Sequence, residues 1–167
     1  MNRATAIVLA LAGAVTGLSA TACGVQPTDV IPAGDAPAAY DSGHGSTQLT
    51  LYFRFDGQLA PVTRDQSDVV TPSGALTALF RGPDAAESAQ GYYSALPVNA
   101  APASVNTAAN PVVVTLPYPM KVIPSSGLNQ IACTTVAALS AAGDSPGTDG
   151  VRVVSTDGST TITCGTS

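Results

Sequence analysis

The sequence predicts an α+β domain in which a small antiparallel or mixed sheet carries two main helices on one face, preceded by a signal peptide and a disordered tether. Apolar and polar residues alternate with the strand period of two over residues 49–55 and again near the end of the chain. Helical spacing with start and stop signals occurs near residues 72–81 and 128–142. The first 47 residues combine one short apolar run with a stretch rich in Pro, Gly, Ala and Asp, which predicts a targeting segment and a linker.

The N-terminal segment resembles the signal of a bacterial lipoprotein. A basic residue, Arg3, precedes an apolar run over residues 6–15, and small residues lead up to Ala22, with Cys23 directly after them. Secretory signals have these three parts in this order. We therefore expect residues 1–22 to be removed and the thiol of Cys23 to carry diacylglycerol, which places the protein at the extracytoplasmic face of the cell membrane.

Two alternatives stay open for this segment. It is either an ordinary secretory signal in which Cys23 is incidental, or a transmembrane anchor that is never cut. A spanning helix needs about 20 apolar residues, whereas Gly13, Thr16 and Ser19 interrupt this one. Cleavage is therefore favoured, and two or three acyl chains on Cys23 would hold the protein stably at the membrane surface.

Residues 23–47 form the predicted lipidated tether, and residues 48–167 form the predicted domain. The tether is rich in Pro, Gly, Ala and Asp without a sustained apolar period. A flexible chain of this length spans roughly 25–30 Å, enough to lift the domain clear of the lipid headgroups. The only histidine of the chain, His44, lies in the tether, where a catalytic role is not expected.

The charge of the chain excludes one class of partner. Its formal net charge is −5, only 10% of its residues are charged, and it has no cluster of Lys and Arg. Binding to a phosphate backbone requires clustered cations. Nucleic acid is therefore not an expected partner.

The predicted domain opens with a β-hairpin. Leu51 and Phe53 lie among alternating polar residues, and Asp56-Gly57 is a strong signal for a two-residue turn. Pairing across this turn sets Phe53 opposite Ala60 and Leu51 opposite Val62. Pro61 has no N–H to donate to a ladder, which predicts an edge position for the returning strand.

Two helices are predicted next. Thr71 followed by Pro72 is typical of a helix start, and Gly82-Pro83 of a helix end. Asp84 and Glu87 have the spacing of a capping box, which predicts a second short helix that ends at Gly91.

The aromatic pair Tyr92 and Tyr93 follows this short helix. Stacking on a sugar is one interpretation of the pair. We expect instead that both tyrosines close a small core, because a chain without Trp is a poor candidate for sugar binding.

The second half predicts a loop over residues 99–110, a strand over residues 112–116 and a helix over residues 128–142. Ser125 or Ser126 is expected to cap that helix, with Leu128, Ile131, Thr135 and Leu139 as its apolar stripe and Gly143 at its end. A second hairpin is expected to turn at Asp157-Gly158. That register places Cys164 opposite Val151.

The cysteines left after lipidation of Cys23 are Cys133 and Cys164. Disulfides form and persist outside the cytoplasm, so we expect these two cysteines to pair. Two unpaired buried thiols are the alternative.

Catalytic and metal-binding patterns do not emerge. A Ser–His–Asp site is not expected because the single histidine lies in the tether, and Glu87 is the only Glu. Residues 144–150 look superficially like a calcium loop but lack the ligand spacing of an EF-hand. We therefore expect no enzymatic activity, no cofactor and no bound metal.

Two stretches, residues 51–64 and 78–97, are together similar to the GerMN domain, and Gln130-Ile131-Ala132-Cys133-Thr134 fits the later helix of that family. The resemblance covers roughly residues 48–164, and the chain departs from the pattern between Ala101 and Met120. It implies a compact α+β domain without catalytic residues. Members occur in spore-germination proteins and in actinobacterial envelope lipoproteins, where they are thought to serve as interaction or scaffolding modules.

These observations lead to one functional hypothesis and an alternative. The first is a membrane-tethered lipoprotein whose GerMN-like domain binds another envelope protein or a wall-associated component. The alternative is an exported domain that binds a small ligand or acts as an enzyme, with a pocket between the helices and the hairpin. A flat exposed apolar or tyrosine patch would favour the first.

Overall fold

A computed structural model of the chain describes residues 45–97, 100–101, 103–144 and 150–165. The predicted signal peptide 1–22, Cys23 and His44 lie outside the described residues. In chain order the described elements are β1 (Gln48–Phe55), β2 (Gln58–Asp65), α1 (Pro72–Arg81), α2 (Ala85–Ala89), β3 (Ser104–Asn106), β4 (Val112–Thr115), a 3₁₀ helix (Met120–Val122), α3 (Ser125–Ala141), β5 (Val151–Ser155) and β6 (Gly158–Ile162).

The predicted α+β class is confirmed, with the strands divided between two sheets. β1 and β2 form an antiparallel hairpin, and the other four strands form a mixed sheet in the order β3-β4-β5-β6. Within that sheet β4 and β5 are parallel and the other neighbours are antiparallel. Helix α3 provides the crossover between β4 and β5, as a parallel pair requires.

The first hairpin has the predicted register. Leu51 lies opposite Val62 and Phe53 lies opposite Ala60. The turn residues Asp56 and Gly57 have φ values of 48° and 75°, the left-handed values that a type I′ turn needs and that glycine adopts without strain.

The two predicted helix starts after the hairpin are also confirmed. Thr71 caps α1 by accepting a hydrogen bond from the N–H of Gly74, and Pro72 is the first helical residue. Asp84 and Glu87 form a complete capping box at α2. Two orphan backbone donors are thereby satisfied reciprocally.

The predicted start of the long helix is wrong. Helix α3 begins at Ser125, three residues before the expected Leu128, and neither serine caps it. Pro124 holds the cap position, where its carbonyl accepts from the N–H groups of Gly127 and Leu128 at 2.9 and 3.1 Å. The three added residues, Ser125, Ser126 and Gly127, have no apolar side chain, so the apolar periodicity does not indicate them. The predicted end is confirmed, because Gly143 has a φ of 86°.

The predicted loop over residues 99–110 contains a strand. β3 pairs with β4 through Val105 opposite Val114. Three residues with a single apolar side chain carry too little alternation to be recognised. β4 itself ends at Thr115, one residue before the predicted end of that strand.

The predicted register of the last hairpin is wrong. Its two turn residues are Thr156 and Asp157, so Val151 lies opposite Ile162, and Cys164 follows the end of β6. The side chain of Asp157 also makes a tertiary contact, because its carboxylate accepts the N–H of Met120 at 2.6 Å. The hydrogen bond from the Ser155 hydroxyl is the main cause that lowers the pKa of Asp157, followed by the bond from the Met120 N–H. The bonds from Met120 and Lys121 attach the 3₁₀ helix to the hairpin turn.

Cys133 and Cys164 form a disulfide with their Cα atoms 4.7 Å apart. Cys133 lies in α3 with 1% of its surface exposed. The bond therefore fastens the middle of α3 to the segment directly after β6, and not to the strand itself.

The hydrophobic core lies between the two main helices and both sheets. Its fully buried apolar members come from β1, α1, α3, β4, β5 and the residue directly after β4, and the largest are Leu51, Phe53, Leu76, Leu79, Val114, Leu116, Ile131, Val151 and Val153. Tyr118 packs edge-on against Phe80, with ring centroids 6.4 Å apart. Among the described residues its buried hydroxyl has no hydrogen-bond partner, and desolvation raises the pKa of Tyr118 to about 12.

Candidate interaction surface

The first hairpin is attached to the body of the domain through the free edge of β1. Gln130 Nε2 donates to the carbonyl of Tyr52 at 2.9 Å, and the N–H of Tyr52 donates to Thr134 Oγ1 at 3.0 Å. Gln130 Oε1 also accepts from the N–H of Ala95 at 2.7 Å. Because residues four apart lie on one helix face, Gln130 and Thr134 close this edge together.

Two residues after Tyr52 on β1, a backbone bridge between Arg54 and Tyr93 places the side chains of Tyr92 and Tyr93 on opposite faces. Arg54 and Tyr93 exchange N–H to carbonyl hydrogen bonds of 2.8 and 2.9 Å. Directly opposed residues of antiparallel strands lie on the same face, and successive residues alternate between faces. Tyr93 is therefore on the face of Arg54, while Tyr92 lies on the other face with its ring 5.1 Å from that of Phe55.

The expectation that both tyrosines close the core is thus correct for one of them. Tyr92 packs against the core cluster. Tyr93 has 47% of its surface exposed. The pairing with Arg54 spans 39 positions of sequence, and no local pattern announces it.

An ion pair fixes α2 against the hairpin. Arg64 donates from Nε to Glu87 Oε1 at 2.8 Å and from Nη2 to Glu87 Oε2 at 2.6 Å. The same guanidinium donates to the carbonyl of Gly82 and lies 5.6 Å from the ring centroid of Phe53. The hydrogen bonding between the two side chains lowers the pKa of Glu87 and raises the pKa of Arg64. Glu87, predicted only as a cap, is thus also a tertiary anchor.

These contacts leave one face of the hairpin turned away from the core. Leu49, Leu51 and Phe53 point inward and are buried, so the alternate residues of β1 lie on the opposite face. We define the outer hairpin face as the set formed by Tyr52, Arg54, Leu59, Pro61 and Tyr93.

Arg54 occupies the middle of the outer hairpin face. Leu59 is its partner on β2 and Tyr93 its partner on the other side. Tyr52, paired with Pro61, lies two residues earlier on the same face. In the described part of the chain, Arg64–Glu87 is the only ion pair within 4.0 Å, so no described carboxylate neutralises Arg54.

A shallow cavity is present near the start of β1. It has a volume of about 210 Å³, below the roughly 300–1,000 Å³ of typical small-molecule sites. Its lining is mixed and comes from β1, the β2–α1 loop and α1, namely Leu49, Gln66, Asp68, Val69, Val70, Thr71, Gly74 and Ala75. The cavity lies between the hairpin and α1 alone, whereas the alternative hypothesis expects a pocket between the hairpin and the helices.

The described ranges contain neither a metal-ligating cluster nor a membrane-spanning helix. There, no three His, Cys, Asp or Glu side chains stand close enough together to hold a metal ion. None of the helices in those ranges is both long and apolar enough to cross a membrane.

Comparison with known proteins gives no relative for this chain. No family model matches it, and neither does any curated protein or any solved structure. The resemblance to the GerMN domain therefore stays a prediction, and the outer hairpin face is a candidate site on its geometry alone.

Proposed function

We propose that this protein is an exported lipoprotein, anchored at the extracytoplasmic face of the cell membrane through Cys23, whose domain is a non-catalytic interaction or scaffold module of the GerMN type. The observation that carries the proposal is the position of Cys23 directly after a basic residue, an apolar run and small residues ending at Ala22. Lipid on this cysteine would leave the domain free of any need for an apolar membrane-binding face.

The disulfide supports the export half of the proposal. A bond between Cys133 and Cys164 persists in oxidising compartments and is rare in the cytosol of mesophiles. With Cys23 lipidated, every cysteine of the chain has a role.

The outer hairpin face supports the interaction half. It combines the half-buried Tyr52 and Arg54 with the exposed Tyr93 on one strand face, and these residue types are enriched at the energetic centres of protein interfaces. The partner would be another envelope protein or a wall-associated component.

The anchor is tested by replacing Cys23 with Ala in the full chain. We expect the protein to move from the membrane fraction to the soluble exported fraction and to lose incorporation of labelled fatty acid. The double variant Cys133→Ala/Cys164→Ala is the matched control, because it removes two cysteines and keeps the predicted lipid site. Unchanged partitioning of Cys23→Ala would refute the anchor.

The interaction role is tested by placing a photo-crosslinking amino acid at Tyr93 and, as a control, at the mostly buried Tyr118. We expect a discrete protein adduct in intact cells from position 93 only, which disappears in the Cys23→Ala background. Equal adducts from both positions would contradict a role for this face. Recovery of a small molecule or wall fragment, with no protein, would support the ligand-binding alternative.

A further inference from the structure

We propose that the outer hairpin face recognises a carboxylate on a protein partner: an Asp or Glu side chain that pairs with Arg54 while apolar side chains cover Tyr52, Leu59 and Tyr93. The inference rests on the proposed interaction role and specifies the chemistry of the partner.

Arg54 lies among apolar and aromatic residues on the outer hairpin face. Its neighbours on the face are a leucine on one side and an exposed tyrosine on the other, with Tyr52 and Pro61 forming the next row. Arg64, the other arginine of this hairpin, has a bidentate carboxylate and a carbonyl as acceptors. In the described residues no side-chain hydrogen bond or ion pair engages the guanidinium of Arg54.

Binding of a partner to the outer hairpin face would desolvate Arg54. A partner that covers the two tyrosines and Leu59 must also remove water from Arg54, which lies between them. A guanidinium that loses its hydration without gaining an acceptor is strongly unfavourable, whereas a carboxylate matches its planar donors with two parallel hydrogen bonds. Apolar groups around that pair lower the local dielectric and strengthen it.

Charge argues against two other occupants. A second copy docked through the same face about a two-fold axis would bring the two Arg54 side chains toward each other, and like charges at an interface are unfavourable. A nucleic acid would also offer acceptors, but the chain is acidic overall and presents a single arginine on this face.

The experiment selects ligands from a displayed library of random 12-residue peptides, using the full chain purified in detergent. Selected peptides are then synthesised in two forms, with each Asp or Glu kept or changed to Asn or Gln. Their dissociation constants are measured on the wild type, on Arg54→Gln and Tyr93→Ala, and on Arg81→Gln. Arg81 is exposed in the last turn of α1 and serves as the matched control.

We expect selected peptides to share an acidic residue flanked by apolar or aromatic residues. Removing the acid or making Arg54→Gln should each weaken binding about 10- to 100-fold. The two changes together should weaken binding no more than either alone, because they remove the same contact. Tyr93→Ala should also weaken binding, whereas Arg81→Gln should leave it unchanged.

Several outcomes would overturn the inference: no peptide is selected, the selected peptides lack an acidic residue, or Arg54→Gln binds them as the wild type does. A concentration-dependent dimer that Arg54→Gln abolishes would identify a second copy as the occupant instead. Circular dichroism and thermal unfolding of each variant exclude loss of the fold as the cause. Failure here leaves the Cys23 and crosslinking experiments unaffected, so failure of this inference is distinguishable from failure of the proposed function.

Discussion

Glu87 makes contacts in two directions. Its backbone N–H and carboxylate complete the capping box with Asp84, and the same carboxylate receives two hydrogen bonds from Arg64. Only 8% of its surface is exposed. Its removal should therefore disturb both the start of α2 and the attachment of the hairpin.

The first prediction concerns Glu87→Gln. The change keeps the size of the side chain but leaves the half-buried guanidinium of Arg64 without its carboxylate, and we expect a loss of about 2–3 kcal/mol in the free energy of unfolding. Urea unfolding followed by circular dichroism measures it. Asp68→Asn, at an exposed carboxylate, is the control and should change stability little. Equal values for both variants would show that the ion pair is not stabilising.

The second prediction is a pH dependence. The pKa of Glu87 is lower in the folded protein than its ordinary value of 4.5, mainly through the hydrogen bond from Arg64. A depressed folded pKa gives stability that is present above the unfolded pKa and lost as the pH falls through the folded pKa. We expect stability to fall below about pH 4.5, and to fall less steeply in Glu87→Gln. Asp157 contributes in the same direction, so parallel curves for wild type and variant would assign the loss to other groups.

At the residue scale, the sequence predicted the contacts between residues close in the chain but not those between distant residues. The capping box of Asp84 and Glu87 follows from a spacing of three residues, which is visible in the sequence. The partner of Glu87 lies 23 residues earlier, and only the packing of α2 against the hairpin brings it near. The same holds for Arg54 and Tyr93, whose shared face depends on a tertiary backbone bridge.

At the scale of elements, the junction of α3 with β1 relies on buried polar side chains. Gln130 is fully buried and holds two backbone groups, the carbonyl of Tyr52 and the N–H of Ala95. Hydrogen bonds of this kind add little on average, but an unmade buried one is costly. The junction is therefore sensitive to single substitutions.

The third prediction is that Gln130→Met destabilises the protein by about 2–5 kcal/mol, because Met matches the volume but satisfies neither backbone group. Thr134→Val, which removes one acceptor, should cost about 1–3 kcal/mol. Hydrogen exchange gives the specific readout: the amide of Ala95 should lose protection in Gln130→Met and keep it in Thr134→Val. Unchanged protection of Ala95 in both variants would contradict the assigned bond.

The fourth prediction concerns the disulfide, whose cysteines are 31 positions apart. The chain-entropy treatment assigns a loop of this size about 3–4 kcal/mol. We expect Cys133→Ala/Cys164→Ala to lower the unfolding free energy by that amount, and a reductant to lower the stability of the wild type but not of the double variant. Two titratable thiols in the oxidised, unfolded wild type would contradict the bond.

Elements with strong local signals were predicted and weak ones were not. The first hairpin and α1 have an Asp-Gly turn, a Thr-Pro start and clear periodicity, and the structure has them as expected. β3 has one apolar residue, and the first three residues of α3, Ser125, Ser126 and Gly127, contribute no apolar side chain. The last hairpin turns one residue earlier than predicted, and Asp157 in that turn also binds the 3₁₀ helix, a contact with a distant part of the chain that no local pattern shows.

At the scale of the whole molecule, the class was predictable and the assembly of strands was not. Periodicity separates helices from strands, which is sufficient for α+β. It does not say which strands meet, so the division into two sheets and the parallel pair β4–β5 were not foreseen. Those pairings depend on how α3 crosses between β4 and β5.

The fifth prediction concerns the free edge of β2, which in the described residues pairs only with β1. Pro61 lies on it opposite Tyr52, whose own backbone groups point to α3. We expect Pro61→Thr to add a donor to this edge and to increase self-association at high concentration. Sedimentation velocity measures it, with Pro117→Thr, an exposed proline outside the strands, as control. Equal sedimentation of both variants and the wild type would contradict the role.

Pro61 also affects how copies of the protein would associate if the proposed anchor held them at a membrane. Molecules confined to a surface by the proposed anchor meet their neighbours far more often than molecules in solution, and each meeting brings strand edges alongside one another. A single missing N–H in the middle of β2 leaves a neighbouring copy no continuous row of donors to join. With the proposed anchor and partner, the hairpin would present its outer face for binding in a crowded layer while its β2 edge resists strand addition between copies.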